Sequence, residues 1–179
     1  MPKPLVVICG SMVHHARMLA LQQTLEAHGI EAVAPADETV HRTQAARIRF
    51  KRRVSEEYFR LIRRSRVSAI LVANYAKAGR KNYIGPNAFA EIAIAFDARK
   101  SIYLLRGIDP ALKDELLAWG AIPLHGKLDA LVKAVNARKL RSSSAPRRRS
   151  AHPIPARSGR RRRSRAAPGS PGYAPAAPA

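Results

Sequence analysis

Two runs rich in β-branched residues, 4–9 apolar throughout and 67–73 apolar but for Ser68, constrain this chain more than any other feature. Neither run alternates polar with apolar residues, so each should be buried on both faces, as in a parallel strand covered by helices. The first run ends at Gly10-Ser11, where Ser11 is placed to cap a helix. Met18, Leu19, Leu21 and Leu25 then repeat at helical intervals until His28-Gly29 stops them. A second short strand is expected at 30–35, followed by a loop at 36–43.

Residues 44–66 are strongly basic and mostly helical in pattern, with Tyr58, Phe59 and Ile62 facing inward and Ser55-Glu56 as a point of restart. Beyond the strand at 67–73, Phe89, Ile92, Ala93 and Phe96 fall at i, i+3, i+4 and i+7, a helix with one apolar stripe. A fourth strand is expected at 101–105. Asp109-Pro110 opens another helix, with Asp as cap and Pro in the first turn, which ends near Trp119-Gly120. A fifth strand at 121–124 and a last helix at 128–137 complete the pattern. Alternating strands and helices imply right-handed βαβ units. The expected fold is therefore α/β: a flavodoxin-like, Rossmann-like three-layer sandwich with a five-stranded parallel sheet in the order 2-1-3-4-5.

Charge divides the chain. The 33 Lys and Arg against 12 Asp and Glu give a net charge of +21 over 179 residues, yet no acid lies beyond Asp129. From Arg141 onward the chain is mainly Ser, Pro, Ala, Gly and Arg, with arginine clusters at 147–149 and 160–163. Such a composition buries too little apolar surface to offset its conformational entropy. The expectation is a folded domain at 1–139 and a disordered basic tail at 140–179. Arginine runs neutralise phosphates, so the tail would bind nucleic acid non-specifically and let go as salt rises. With only Tyr173 to stack on a base, it would not read sequence. A solvated extension without a role is the alternative. In the folded part, Arg47, Arg49, Lys51, Arg52 and Arg53 form either a lid attractive to a nucleotide or polyanion, or a plain exposed helix.

A single cysteine, Cys9, leaves no intrachain disulfide and no multi-cysteine metal cluster. No run approaches the ~20 apolar residues needed to span a bilayer, and the first residues lack a secretory pattern. The expectation is a cytoplasmic protein with no membrane partner. His14 and His15 are neighbours whose side chains point about 100° apart on a helix, without an acid or cysteine at ligand spacing, so no metal is expected there. Cys9 is read as a small core residue, His125 as structural and Trp119 as helix-end packing.

The candidate chemistry centres on Glu91. Ligands of open α/β sheets bind beyond the carboxyl ends of the strands, and the loop after residue 73 delivers one acid there beside several amides. With Gly85 or Asn87 as cap, Glu91 lies one to two turns into its helix, where the dipole and free N–H groups would keep it ionised. An ionised carboxylate is what attack on an anomeric carbon requires. Ala88 and Ala95 on that side are small and would leave room for a ligand, while Phe89, Ile92 and Phe96 face elsewhere. Asn74, Asn82, Tyr83 and Asn87 can hydrogen-bond a base edge and sugar hydroxyls. The bland alternative is that Glu91 only stabilises its helix and the asparagines only shape turns.

The series Asn74-Tyr-x-Lys-x-Gly-x-x-Asn-Tyr-Ile-Gly-x-Asn, followed by Glu91, Ala95, Lys100 and Ile102-Tyr-Leu-Leu105, resembles the nucleoside 2-deoxyribosyltransferase superfamily, and within it the proteins called nucleoside 2-deoxyribosyltransferase-like. The resemblance covers residues 4–135. It implies that Glu91 attacks C1′ of a deoxynucleoside or its 5′-monophosphate and that a second base or water completes the reaction. It also implies substrate contacts from Asn74, Asn82, Tyr83, Gly85 and Asn87, no cofactor, and a homo-oligomer sharing active-site residues between subunits. Cys9-Gly10-Ser11 with Arg17 resembles the first loop of the related deoxynucleoside-monophosphate N-hydrolases, which implies Gly10, Ser11 and Arg17 at the 5′-phosphate. The physics agrees independently, since helix N-termini and arginine both favour anions; a capped turn with a solvated Arg17 is the alternative. Two departures stand out. Family transferases carry an aspartate where this chain has Asn74, and no second acid lies six residues before Glu91, where Gly85 sits. The leaving base would take its proton from water, Tyr83 or a neighbouring subunit.

Overall fold

The computed structural model describes residues 4–36 and 43–144, with side chains through residue 138. In chain order these form β1 (Leu5–Gly10), α1 (His15–Ala27), β2 (Glu31–Val33), α2 (Gln44–Arg63), β3 (Val67–Ala73), α3 (Pro86–Asp97), β4 (Ser101–Leu104), α4 (Lys113–Ala118), β5 (Ile122–Pro123) and α5 (Asp129–Ser144). The two apolar runs are β1 and β3. They are buried throughout except at Gly10, where β1 emerges at its carboxyl end.

The sheet is parallel, in the order β2-β1-β3-β4-β5. This is the expected flavodoxin-like arrangement. Strand alternation sorts the core into two layers. Leu5, Val7, Cys9, Ile70, Val72, Ile102 and Leu104 pack with Tyr58, Ile62, Ala88, Ile92 and Leu116, from α2, α3 and α4. Val6, Ile8, Ala69, Leu71, Ala73 and Tyr103 pack on the other side with Met18, Leu25, Leu131 and Val135, from α1 and α5. Each large aliphatic side chain so buried contributes about 1.5–3 kcal/mol relative to exposure.

The chain turns from β1 to β2 on one side and crosses to β3 on the other, so the switch point lies between β1 and β3. Their carboxyl ends finish level, with Gly10 paired to Ala73. Gly10 belongs there on steric grounds: a Cβ would lie 2.9 Å from the Met18 sulfur and 3.3 Å from Ala73.

Several local expectations are corrected. Ser11 caps a short 3₁₀ turn, Met12–His14, and makes no side-chain cap bond; α1 begins only at His15. Leu19 is 41 % exposed, because Met18 and Leu25 alone seat α1 fully on the sheet. Helix α2 runs unbroken past Ser55 and Glu56, capped by the Thr43 hydroxyl, which accepts from the Ala46 N–H at 3.2 Å. It buries Tyr58 and Ile62, with Phe59 half-buried. In α3 the buried stripe is Ala88, Ile92 and Ala95, not the phenylalanines. Small residues let α3 approach the sheet closely, and Phe89 and Phe96 move to its flank, stacked on Trp119 at 5.3 and 5.4 Å. Asp109 caps as expected, but of a 3₁₀ turn, Pro110–Leu112, ahead of a short α4. Helix α5 runs from Asp129 to Ser144, longer than the expected helix at 128–137. The rest of the expected tail lies outside the described residues. Among the described residues, no helix is long and apolar enough to cross a membrane.

Candidate active site

Helix α3 starts at the carboxyl edge of the sheet because Gly85 supplies an extended cap and Pro86 a preset first turn. Glu91 is the sixth residue of that helix, on the same side as the buried Ala88, Ile92 and Ala95. Its side chain therefore points across β1 rather than outward. It meets the Cys9 thiol, which donates to the carboxylate, and lies close to Tyr58 of α2.

Glu91 lines a two-compartment cleft. The inner compartment, about 60 Å³, is enclosed by Gly10, Met12 and Pro35-Ala36 on one side, Phe50, Lys51, Val54, Ser55 and Tyr58 of α2 on the other, and Asn87 and Glu91 of α3. The outer compartment, about 360 Å³, is bounded by Gly10, Ser11, Met12, Val13, Lys51, Lys77, Tyr83 and the start of α3 from Gly85 to Ala88. The two share Gly10, Met12, Lys51 and Asn87. Together they occupy the switch point between β1 and β3. Among the described residues Glu91 is the one acid of the lining, which also holds Lys51 and, in the outer compartment, Lys77.

The electrostatics correct one expectation. Burial pushes the Glu91 carboxyl up to about 7, and the Cys9 hydrogen bond lowers it without cancelling that rise. At the sixth helical position it has passed the free N–H groups of the first turn, so desolvation outweighs the dipole. Near neutral pH the group is divided between acid and carboxylate. Burial, with Glu91 alongside, raises the Cys9 thiol well above its ordinary range. Cys9 is thus a protonated donor and not a nucleophile. Burial also raises the Tyr58 hydroxyl, which donates to the Ile8 carbonyl at 3.4 Å.

The expected substrate residues divide into two groups. Gly10, Ser11, Tyr83, Gly85 and Asn87 line the cleft with Glu91. Asn74, Asn82 and Arg17 do not. Asn74 is 1 % exposed; its amide donates to the Gly107 carbonyl at 2.7 Å and its oxygen accepts from the Arg106 N–H at 2.8 Å. Asn82, at φ 54°, accepts from the Gly107 N–H and donates to the Ile108 carbonyl. Both amides tie the loop after β3 to the loop after β4, which occupies the atoms that would otherwise meet a ligand. Arg17 is exposed and stacks on the Tyr75 ring, 3.6 Å from its centre. His14 and His15 bond to the carbonyls of Ala76 and Pro35.

Two cations that sequence reasoning did not place at the substrate stand where Arg17 was expected. Lys77 donates to the Ser11 hydroxyl at 3.1 Å and lies 5.3 Å from the centre of the Tyr83 ring. Lys51 reaches both compartments from α2. Lys77 stands within the quoted Asn74 motif without a role of its own, and Lys51 belongs to the basic run read either as a lid for a nucleotide or as a plain exposed helix. Asp109 supports this wall from beneath: it accepts from the Ile84 N–H at 2.9 Å and holds Arg80 through both oxygens at 3.2 Å.

No family model matches the chain, and no curated protein matches it. Among solved structures, the chain is similar to the crystal structure of a response regulator receiver protein from Pseudomonas putida, at 18 % identity and a TM-score of 0.46, over 76 % of this chain and 98 % of that one.

Proposed function

We propose that the protein cleaves, and with an acceptor base exchanges, the N-glycosidic bond of a deoxynucleoside 5′-monophosphate or deoxynucleoside, in the manner of the nucleoside 2-deoxyribosyltransferase superfamily it resembles. The observation that carries this reading is Glu91, the one acid among the described residues that line a cleft at the β1–β3 switch point.

In the proposed reaction a Glu91 carboxylate oxygen attacks C1′. The C1′–N bond breaks, its electron pair leaves with the base, and the base takes a proton from water. The ester at Glu91 is then opened at C1′ by water or a second base, which restores the carboxylate. An oxocarbenium-like centre favours the ionised form, so substrate itself draws the half-protonated acid toward its reactive state. Lys77 and Lys51 give the outer compartment the charge for a 5′-phosphate and Ser11 a hydroxyl donor, while Tyr83 and Asn87 face the sugar and base. No metal or redox cofactor enters these steps.

That no second acid lines the cleft among the described residues favours one rival, a nucleotide-binding module without turnover. Chromatography of mixed deoxynucleosides and their monophosphates, incubated with and without a spare base, separates the two. Free base alone indicates a hydrolase, and a swapped product a transferase. Unchanged substrates throughout would exclude the enzyme.

A further inference from the structure

The amino-terminal half of α2 carries Arg47, Arg49, Lys51, Arg52 and Arg53 within residues 44–54, without one acid. The positive end of a helix dipole disfavours cations in this place. The repulsion is compounded, since Arg47 with Lys51 and Arg49 with Arg53 are like charges at i, i+4. Folding alone gives no reason for such a cluster. At 100° per residue, Lys51 points to the cleft, whereas Arg49, Arg52, Arg53 and Arg60 share an outward sector about 100° wide. All four are exposed, with the side chains of Arg52 and Arg60 at 82 % and 71 %. Glu56 answers the two of these that flank it, at 3.1 and 3.4 Å. From Arg49 to Arg60 the row extends about 16 Å, the length of several consecutive phosphates on one strand.

We propose that this outer face of α2 docks the phosphate backbone of a nucleic acid. Arginine's planar fork suits phosphate oxygens better than a point charge does. A membrane surface fits poorly, because α2 buries Tyr58 and Ile62 against the sheet and exposes a single large apolar side chain, Ile48, which makes no apolar face to insert. The face works independently of Glu91, and its arginines are not part of the cleft lining.

The test uses the full chain, tail included, and a labelled single-stranded DNA of about 20 nucleotides, with affinity followed from about 50 to 200 mM salt. The variant Arg49→Gln/Arg52→Gln/Arg53→Gln is compared with Lys113→Gln/Lys127→Gln/Lys133→Gln, which removes equal charge from other exposed positions. The α2 variant should bind about 10- to 100-fold more weakly near 100 mM salt, with a salt slope smaller by about 2, and the control should match the parent. Without DNA, the α2 variant should melt close to the parent, since it relieves the Arg49–Arg53 repulsion and gives up the exposed Arg52–Glu56 pair. Equal losses in both variants, no loss in the α2 variant, or no binding by the parent would each overturn the proposal. So would a loss confined to vesicles containing phosphatidylserine.

Discussion

At the scale of single residues, Glu91 ties function to a stability cost. Its folded value of about 7 stands above the ordinary carboxylate value. Between about pH 4 and pH 7 the folded chain therefore holds this proton more tightly than the unfolded chain does. Stability falls as pH rises through that window and loses nothing further above it. Glu91→Gln should abolish base release, yet be more stable than the parent above pH 7, by at most about 3.5 kcal/mol, and melt higher there. The gap should shrink toward pH 5, and thermal melts across pH check it; a difference independent of pH contradicts a buried, titrating Glu91. Because the nucleophile must be ionised, kcat/KM should rise with pH through the same region. Cys9→Ala removes the thiol that favours the carboxylate, so the rising limb should move to higher pH. An unmoved limb would separate Cys9 from the reaction.

Among elements, the loop from Asn74 to Ile84 divides structural work from ligand work, and sequence alone did not show the division. Asparagine in a polar loop serves either purpose, and only the approach of residues 106–108 decided the matter for Asn74 and Asn82. Asn74→Ala should cost about 2–3 kcal/mol by leaving the Arg106 N–H and Gly107 carbonyl unpaired, with KM little changed in the folded enzyme. Lys77→Ala should do the opposite, raising KM for a 5′-monophosphate about tenfold or more, as loss of a charged hydrogen bond requires, while sparing the unphosphorylated nucleoside. Equal KM changes for both substrates would remove Lys77 from the phosphate end. The strands were legible because β1 and β3 are apolar without alternation, a pattern only a doubly covered sheet accommodates. The stripe of α3 was misread because Phe89 and Phe96 outrank alanine in hydrophobicity, whereas close packing on the sheet selects Ala88 and Ala95 for size.

For the whole molecule, the topology gathers five segments into the cleft that holds Glu91: the turn after β1, Pro35-Ala36 after β2, the part of α2 from Phe50 to Tyr58, the loop after β3 and the start of α3. Strand order could be inferred from alternation and handedness, and the position of Glu91 at the sheet's carboxyl edge followed from it. The inward direction of its carboxyl did not, since that depends on α3 lying close over Cys9. The same placement fixes the most direct test. The full-length protein is mixed with deoxynucleosides and their 5′-monophosphates, quenched in acid within the first turnover, and examined by intact and peptide mass spectrometry. The predicted result is a deoxyribosyl or deoxyribosyl-phosphate ester on the peptide containing Glu91, absent from Glu91→Gln. Base release from Glu91→Gln at the parent rate, or an adduct on any other residue, would contradict Glu91 as the nucleophile.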